Sequence, residues 1–364
     1  MTSASEARIR ACGPEDRPSQ IDLYQRCFGQ DGTEVLPWRY DRSPHGEAVA
    51  LVADDENGKP VSGYASMPRQ VVPGGDESQA CLVGQTGDVM TDASARGKGL
   101  FSELDEQVRQ TIAAKGWVAQ FGLPNSTSSE IFVGKLGWTG AARIRPYTFV
   151  LTGGADARAE RMKAGRLASA LVPWALWRGT MSRGKLRKSF FEKVNVVAIP
   201  RFREEVDEVW RHVAKDWPWM VRRDATYLNW RFLEAPSGRF RAHGVFAPSG
   251  EMRGYCVVQL PTKDDRVGYI MDVLAYDDVA LAAAIEAGLG HLLKAGASVA
   301  RANAIEGSWW ERKLLWAGFQ APKKEDHKRV IVRVLDEAHP AGKAAKDPAS
   351  WYFTDADRED ELVR

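Results

Sequence analysis

Residues 95 to 101 read Ala-Arg-Gly-Lys-Gly-Leu-Phe, two glycines and two cations set between an apolar run and a helical one. The run before them, Cys81 to Thr91 (CLVGQTGDVMT), has the composition of a strand, and Lys98 to Ala114 places Leu100 or Phe101, Leu104, Val108 and Ile112 on one helical face. The loop therefore joins a strand to a helix. The first amides of such a helix lack partners within it, glycines let the backbone come close to an anion, and Arg96 and Lys98 add positive charge. These features suit a diphosphate. At roughly 1.5 to 3 kcal/mol per charge-assisted bond, three or four amides would hold a micromolar ligand. The plain structural alternative is a glycine-rich turn with solvated cations. Two other phosphate loops do not fit. A dinucleotide fingerprint needs glycine where Ser102 stands and an acid about 20 residues on, whereas the next apolar run, WVAQFGLPN, has none. The GxxxxGK loop followed by Ser or Thr is absent.

The elements that must position this loop belong to a repeated plan. Leu36 to Gly46 (LPWRYDRSPHG) and Leu228 to Gly238 (LNWRFLEAPSG) share Leu, Trp-Arg, an aromatic, Pro and Gly in one register. Each is followed by an apolar strand, a turn containing Gly and a second strand carrying Gly-Tyr, at Gly63-Tyr64 and Gly254-Tyr255, the pattern of a β-hairpin. Farther on, Asp88-Val89 is echoed by Asp272-Val273, Asn125 by Asn303, and Leu136-Gly137-Trp138 by Ala317-Gly318-Phe319. The 364 residues thus divide into a domain over 1–152, a basic connector over 153–199, a second domain over 200–338 and a C-terminal tail over 339–364. Both domains are expected to be α/β, each a mixed sheet flanked by helices.

Composition narrows the chemistry. With 44% hydrophobic and 27% charged residues the chain reads as globular, without an apolar run long enough to span a bilayer. The first residues lack a signal-peptide core, so the cytoplasm is the expected compartment. Cys12, Cys27, Cys81 and Cys256 have no CxxC spacing, and the six histidines form no ligand pair, so no metal site is expected. A net charge of +2 gives no argument for DNA.

The order VMTDASARGKGLFSEL, then a strand ending FGLPNSTSS, then FVGKLGW resembles the GNAT acyltransferase superfamily, whose acyl-CoA loop reads Arg or Gln, two residues, Gly, one residue, Gly or Ala. Arg96 and Gly99 match that pattern, while Phe101 occupies its last position. IRACGPEDRPSQIDLYQRCF resembles the first strand and helix of such domains. The resemblance implies that Met90 and Thr91 offer backbone groups to the pantetheine arm. It also implies that Arg96, Gly97, Lys98, Gly99, Leu100 and Phe101 wrap the diphosphate, that Asn125 and Ser129 touch the cofactor, and that Phe132 lines the arm. As plain structure, Asn125 would be a turn residue and Phe132 a core aromatic. The tyrosine that many family members use as general acid falls on Val133 here, leaving water, Tyr147 or Tyr352 for that role. Asp88 is the expected base, on the strand beside the thioester, with Glu130 and Asp92 behind it. Cys81 reads as a buried small hydrophobe rather than a nucleophile.

The second copy has neither glycines nor cations where its helix begins (MDVLAYDDVALAAAIEAG), so it is expected to keep the fold without the coenzyme. Trp309, Trp310 and Trp230-Arg231 are then free to shape an acceptor site or an interface. Between Ala157 and Lys193 ten Lys or Arg stand against two Glu, beside the apolar LASALVPWALW. Residues 166–188 are accordingly a candidate for peripheral membrane contact, or else an interdomain helix kinked at Pro173. The resulting expectation is an enzyme moving an acyl group, acetyl in the first instance, from coenzyme A to an amine of a small molecule such as an amino sugar. The alternatives are an aminoacyl-tRNA-dependent transferase of the Fem type and a non-catalytic acyl-CoA sensor.

Overall fold

The computed structural model describes residues 8–151, 194–322 and 328–358. Two compact units interleave along the chain, 1–142 with 328–348 and 143–327 with 349–362. In the first unit the sheet runs β1 (Arg8–Ala11), β2 (Val49–Asp54), β3 (Pro60–Val71), β4 (Cys81–Thr91), β5 (Ala119–Gly122) and β12 (Lys328–Val334). All neighbours are antiparallel except β4 and β5. Both faces are covered, which is why β2 is buried at every position. Helices α1 (Arg17–Phe28) and α2 (Val35–Asp41) pack Leu23, Tyr24, Leu36 and Tyr40 on Ala50, Ala65 and Met67. On the opposite face α3 (Leu100–Ala114) and α4 (Ser126–Lys135) bring Leu104, Val108, Ile112 and Phe132 onto Val49, Leu51 and Tyr64. The strict alternation of strand side chains decides which residue meets which layer.

The second unit repeats this plan. Its sheet runs β7 (Asn195–Ile199), β8 (Phe240–Phe246), β9 (Met252–Gln259), β10 (Val267–Ala275), β11 (Val299–Ile305) and then β6 (Thr139–Val150), whose residues from Arg143 onward belong to this unit. Again a single pair, β10 with β11, is parallel. Its α-helices among the described residues are α5 (Glu205–Ala214), α6 (Ala225–Leu228), α7 (Asp278–Lys294) and α8 (Trp309–Trp316). The Ala- and Leu-rich face of α7 supplies Leu281, Ile285, Leu289 and Leu292 to the core. A later helix, α9 (Pro340–Ala345), belongs to the first unit.

Each sequence repeat therefore closes the sheet of the other unit: β6 lies beside β11, and β12 beside β5. The unit borders differ accordingly from those expected at 152, 200 and 338. Strand β7, expected in the connector, belongs to the second unit, and Trp351 to Arg358, expected in a tail, are buried there. The remainder of the connector, with the membrane contact expected at 166–188, lies outside the described residues. No helix among the described residues is long and apolar enough to cross a membrane.

Strand β12 is locked into the first unit by charge as well as by ladder bonds. Buried Asp105 on α3 accepts from Arg333 (2.7 Å), Tyr64 (2.9 Å) and Trp138 Nε1 (3.2 Å). Removing one partner of a buried pair leaves an uncompensated charge and costs about 3 to 5 kcal/mol. Arg333→Leu is expected to lower stability by about that amount in urea unfolding, and Asp105→Asn in the same background to return part of it. A loss under about 1 kcal/mol, the worth of a surface pair, would show that the network does not anchor β12.

Candidate active site

Strands β4 and β5 pair only from Val83 to Thr86 and from Ala119 to Gly122. Beyond Thr86, β4 continues to Thr91 against β3 alone, while β5 ends and the chain turns into α4. A gap opens between the edge of β4 and the start of α4. Along this stretch β4 is bulged: Gly63 faces Met90 and Ala65 faces Gly87, so that Tyr64 alone spans Asp88 and Val89. Asp88 has φ +48°, the one non-glycine residue in the left-handed region among the described residues. Such a conformation costs roughly 1 to 3 kcal/mol and persists only where the surroundings impose it. The imposing groups are Arg39, whose Nη1 donates to both Asp88 oxygens (2.7 and 2.6 Å), and Tyr40, whose hydroxyl donates to Oδ2 (2.8 Å). Arg39 is buried, with 1% of its side chain exposed. Burial, and then the Asp88 charge, push the Tyr40 hydroxyl well above its ordinary pKa, so it remains a donor.

The loop after β4 follows from its glycines. Asp92 caps the turn Ala93–Ala95 through Ser94 (N 3.0 Å, Oγ 2.8 Å) and pairs with Arg26. Gly97 (φ +79°) and Gly99 (φ +81°) are left-handed, and a Cβ at Gly97 would meet nothing within 4 Å. Backbone hand rather than crowding therefore demands glycine here. Gly99 is the N-cap of α3, so the helix begins at Leu100 instead of Lys98 and has no side-chain cap. Among the described residues no backbone N–H from Arg96 to Phe101 donates a hydrogen bond to protein. Arg96 and Lys98 are exposed beside these amides, and Leu100 is buried beneath them. An anion would find donors, the positive end of a helix dipole and two cations together.

The other expected residues divide. Met90 puts its side chain in the core, while its carbonyl accepts from Ser62 Oγ (2.8 Å), which also meets Thr91 Oγ1 (2.9 Å). Asn125 caps α4, accepting from Ser128 N (2.9 Å), and Ser129 N–H donates to its carbonyl (2.8 Å), so these two residues meet where β5 ends. Phe132 is a core aromatic: it is 2% exposed, with ring centroids 5.0 Å from both Phe101 and Trp138. Tyr147 and Tyr352, considered as acids, lie in the second unit, their hydroxyls bonded to Glu311 and to the Val273 carbonyl. Glu130 is exposed on α4. Burial pushes the Cys81 thiol up to about 12, which suits a hydrophobe rather than a nucleophile. No group of three or more His, Cys, Asp or Glu among the described residues is placed to hold a metal ion. Sequence reasoning missed Arg39 and Tyr40, although the Trp-Arg-aromatic triplet in both repeats marked their position.

Comparison with known proteins bears on the domain and the fold. Residues 8–141 match the family model described as an acetyltransferase (GNAT) domain. No curated protein sequence matches the chain. Among solved structures, a GCN5-related N-acetyltransferase from Kribbella flavida is similar over 95% of this chain and 75% of its own, at 15% identity and a TM-score of 0.60. A probable N-acyltransferase from Enterococcus faecalis is similar over 90% and 72%, at 14% identity and 0.60. A tandem GNAT protein from the clavulanic acid biosynthesis pathway is similar over 91% and 99%, at 10% identity and 0.53. At these identities the structures speak for the fold, and that fold is the GNAT fold in tandem. Residues 8–141 therefore carry a GNAT acetyltransferase domain by that family model, and the chain as a whole has the fold of tandem GNAT proteins.

The strained aspartate gives a test of the site's construction. Arg39→Leu is expected to cost about 3 to 5 kcal/mol, because it strands a buried carboxylate. Adding Asp88→Gly should return most of that loss, since glycine accepts φ +48° without strain. Additive effects in a double-mutant cycle would show that the two residues are not coupled.

Proposed function

We propose that the acyl donor, acetyl-CoA in the first instance, binds once per chain in the β4–β5 gap, and that the acceptor is an amine of a small molecule such as an amino sugar. The observation that supports this most is the Arg96 to Phe101 loop, where uncommitted amides, left-handed glycines and two exposed cations meet at the start of α3. The edge of β4 beyond Thr86 gives the pantetheine amides a strand to pair with. An ammonium must lose a proton before its nitrogen can attack the thioester carbonyl. The C–N bond then forms, the C–S bond breaks, and the thiolate takes up a proton. Asp88 is the proton acceptor in this reading, directly or through one water. Its pairing with Arg39 and Tyr40 gives it a second task, holding the bulge on which the thioester would rest. Water supplies the proton to the thiolate, because Val133 stands where a tyrosine acid would be.

Gly99→Glu is expected to abolish acetyl-CoA binding in titration calorimetry by placing a carboxylate at the diphosphate, with the chain still folded. Unchanged affinity, or two equivalent sites in the unaltered chain, would contradict this assignment.

Asp88→Asn keeps the size and one acceptor oxygen but cannot take the proton. Turnover is expected to fall about a hundredfold to ten-thousandfold with coenzyme affinity retained, the range a positioned base supplies. A loss of coenzyme affinity at constant turnover would leave Asp88 only its bulge-holding task. A change in turnover under threefold, with chemistry rate-limiting, would move the search for a base to Glu130.

A further inference from the structure

The second repeat meets the same interruption of its sheet and fills it with its own chain. Strands β10 and β11 pair from Val267 to Tyr269 and from Val299 to Arg301, and then part. The short turn Asp355–Asp357 lies against both strands beyond that point. Asp355, wholly buried, accepts from Asn303 N (2.7 Å), Asn303 Nδ2 (2.8 Å) and Arg358 Nη1 (2.9 Å). Thr354 Oγ1 donates to Asp272 Oδ1 (2.7 Å), and the Tyr352 hydroxyl donates to the Val273 carbonyl. Its ring lies 5.2 Å from both Trp217 and Trp309, and its N–H donates to the Trp219 carbonyl (2.9 Å). Two wholly buried arginines hold the rest: Arg223 binds Asp357, and Arg231 donates to the Ala356 and Arg358 carbonyls.

The start of the helix is closed as well. Where α3 has a glycine cap and uncommitted amides, α7 has Asp277, whose Oδ1 accepts from Val279 N (3.0 Å) and Ala280 N (2.8 Å). A carboxylate already occupies those donors and would repel a diphosphate. Trp309 and Arg231, which the sequence analysis expects to shape an acceptor site or an interface, both touch this segment.

We propose that the β10–β11 gap is a peptide site whose occupant is the chain's own segment Trp351–Arg358, so that the second repeat binds a peptide at the place where the first binds a coenzyme. The recognised chemistry is a tyrosine, then a threonine hydroxyl, then two carboxylates one residue apart. The bidentate contact from Asn303 selects the first carboxylate and Arg223 the second. The analogy with a coenzyme rests on the reading given under Proposed function, whereas the peptide site rests on the contacts just described.

Two measurements on the full chain test this. In hydrogen exchange on the unaltered protein, the amides of Asn303 and of residues 352–357 should be protected together with β10 and β11. Exchange of these amides at loop rates, with the strands protected, would overturn the proposal. A full-length variant carrying Tyr352→Ala, Thr354→Ala and Asp355→Ala should bind a labelled peptide of sequence ASWYFTDADR. That binding should be at least tenfold tighter than to the same peptide with Asp355→Ala. The unaltered chain should bind neither, because its own segment competes at an effective concentration on the order of millimolar. A folded variant that fails to discriminate the peptides, or that gains a second equivalent of acetyl-CoA, would overturn the proposal. If the triple variant does not fold, Asn303→Ala replaces it: exchange at 352–357 should then speed up at least tenfold, and no change would count against the site. A chain that binds no acetyl-CoA while the segment stays protected would overturn the coenzyme reading alone.

Discussion

A parallel strand pair that stops short is the constraint on which this molecule turns. Backbone N–H and C=O groups at a strand edge must find partners, and where β4 leaves β5 after Thr86 the sheet ceases to supply them. The unit has to leave that edge for something that is not a strand. Everything distinctive in the first unit serves the opening: the bulge at Asp88 bends the edge, and the glycine turn brings the first amides of α3 to its end. In the second unit the same opening exists between β10 and β11, and the chain returns to close it.

The two solutions differ in how they treat charge. In the first unit the glycine cap leaves donors uncommitted and the cations exposed, a state that water can satisfy. The second unit buries Arg223, Arg231 and Arg358 with Asp272, Asp355 and Asp357, three charges of each sign. Burial pushes the Asp272 carboxyl above the usual carboxylate range, while Arg223 and the hydroxyls of Thr354 and Tyr255 act in the opposite direction. Isolated, any of these charges would be prohibitive inside a core; interlocked, they fix one arrangement of the segment.

The conserved plan of the two repeats also shows how one residue changes employment. Arg39 and Arg231 stand at the same place in the Trp-Arg-aromatic triplet, and both are buried. Arg39 holds a strained aspartate on the strand edge, whereas Arg231 holds carbonyls of the closing segment. The fold keeps a cation beneath the opening in both units, and what the cation binds follows from what fills the opening. The two units thus keep one fold while the partners of this cation are exchanged.

Much of this was present in the linear order of residues. The hairpins, the strand over Cys81 to Thr91, the helix with its buried Leu104, Val108 and Ile112, and the glycine turn between them depend on neighbours within a few residues, and periodicity and turn chemistry report such neighbours directly. The repeat likewise follows from comparing the chain with itself. Tertiary structure alone decided which copy each closing strand completes, because two similar β5-type edges offer β6 and β12 the same ladder. It alone decided that Asp88 faces Arg39 across 49 residues of sequence, and that Asp355 finds Asn303 across 52. Partners so distant leave no periodic trace, since a charged side chain has the same composition whether it will be solvated or buried against its opposite.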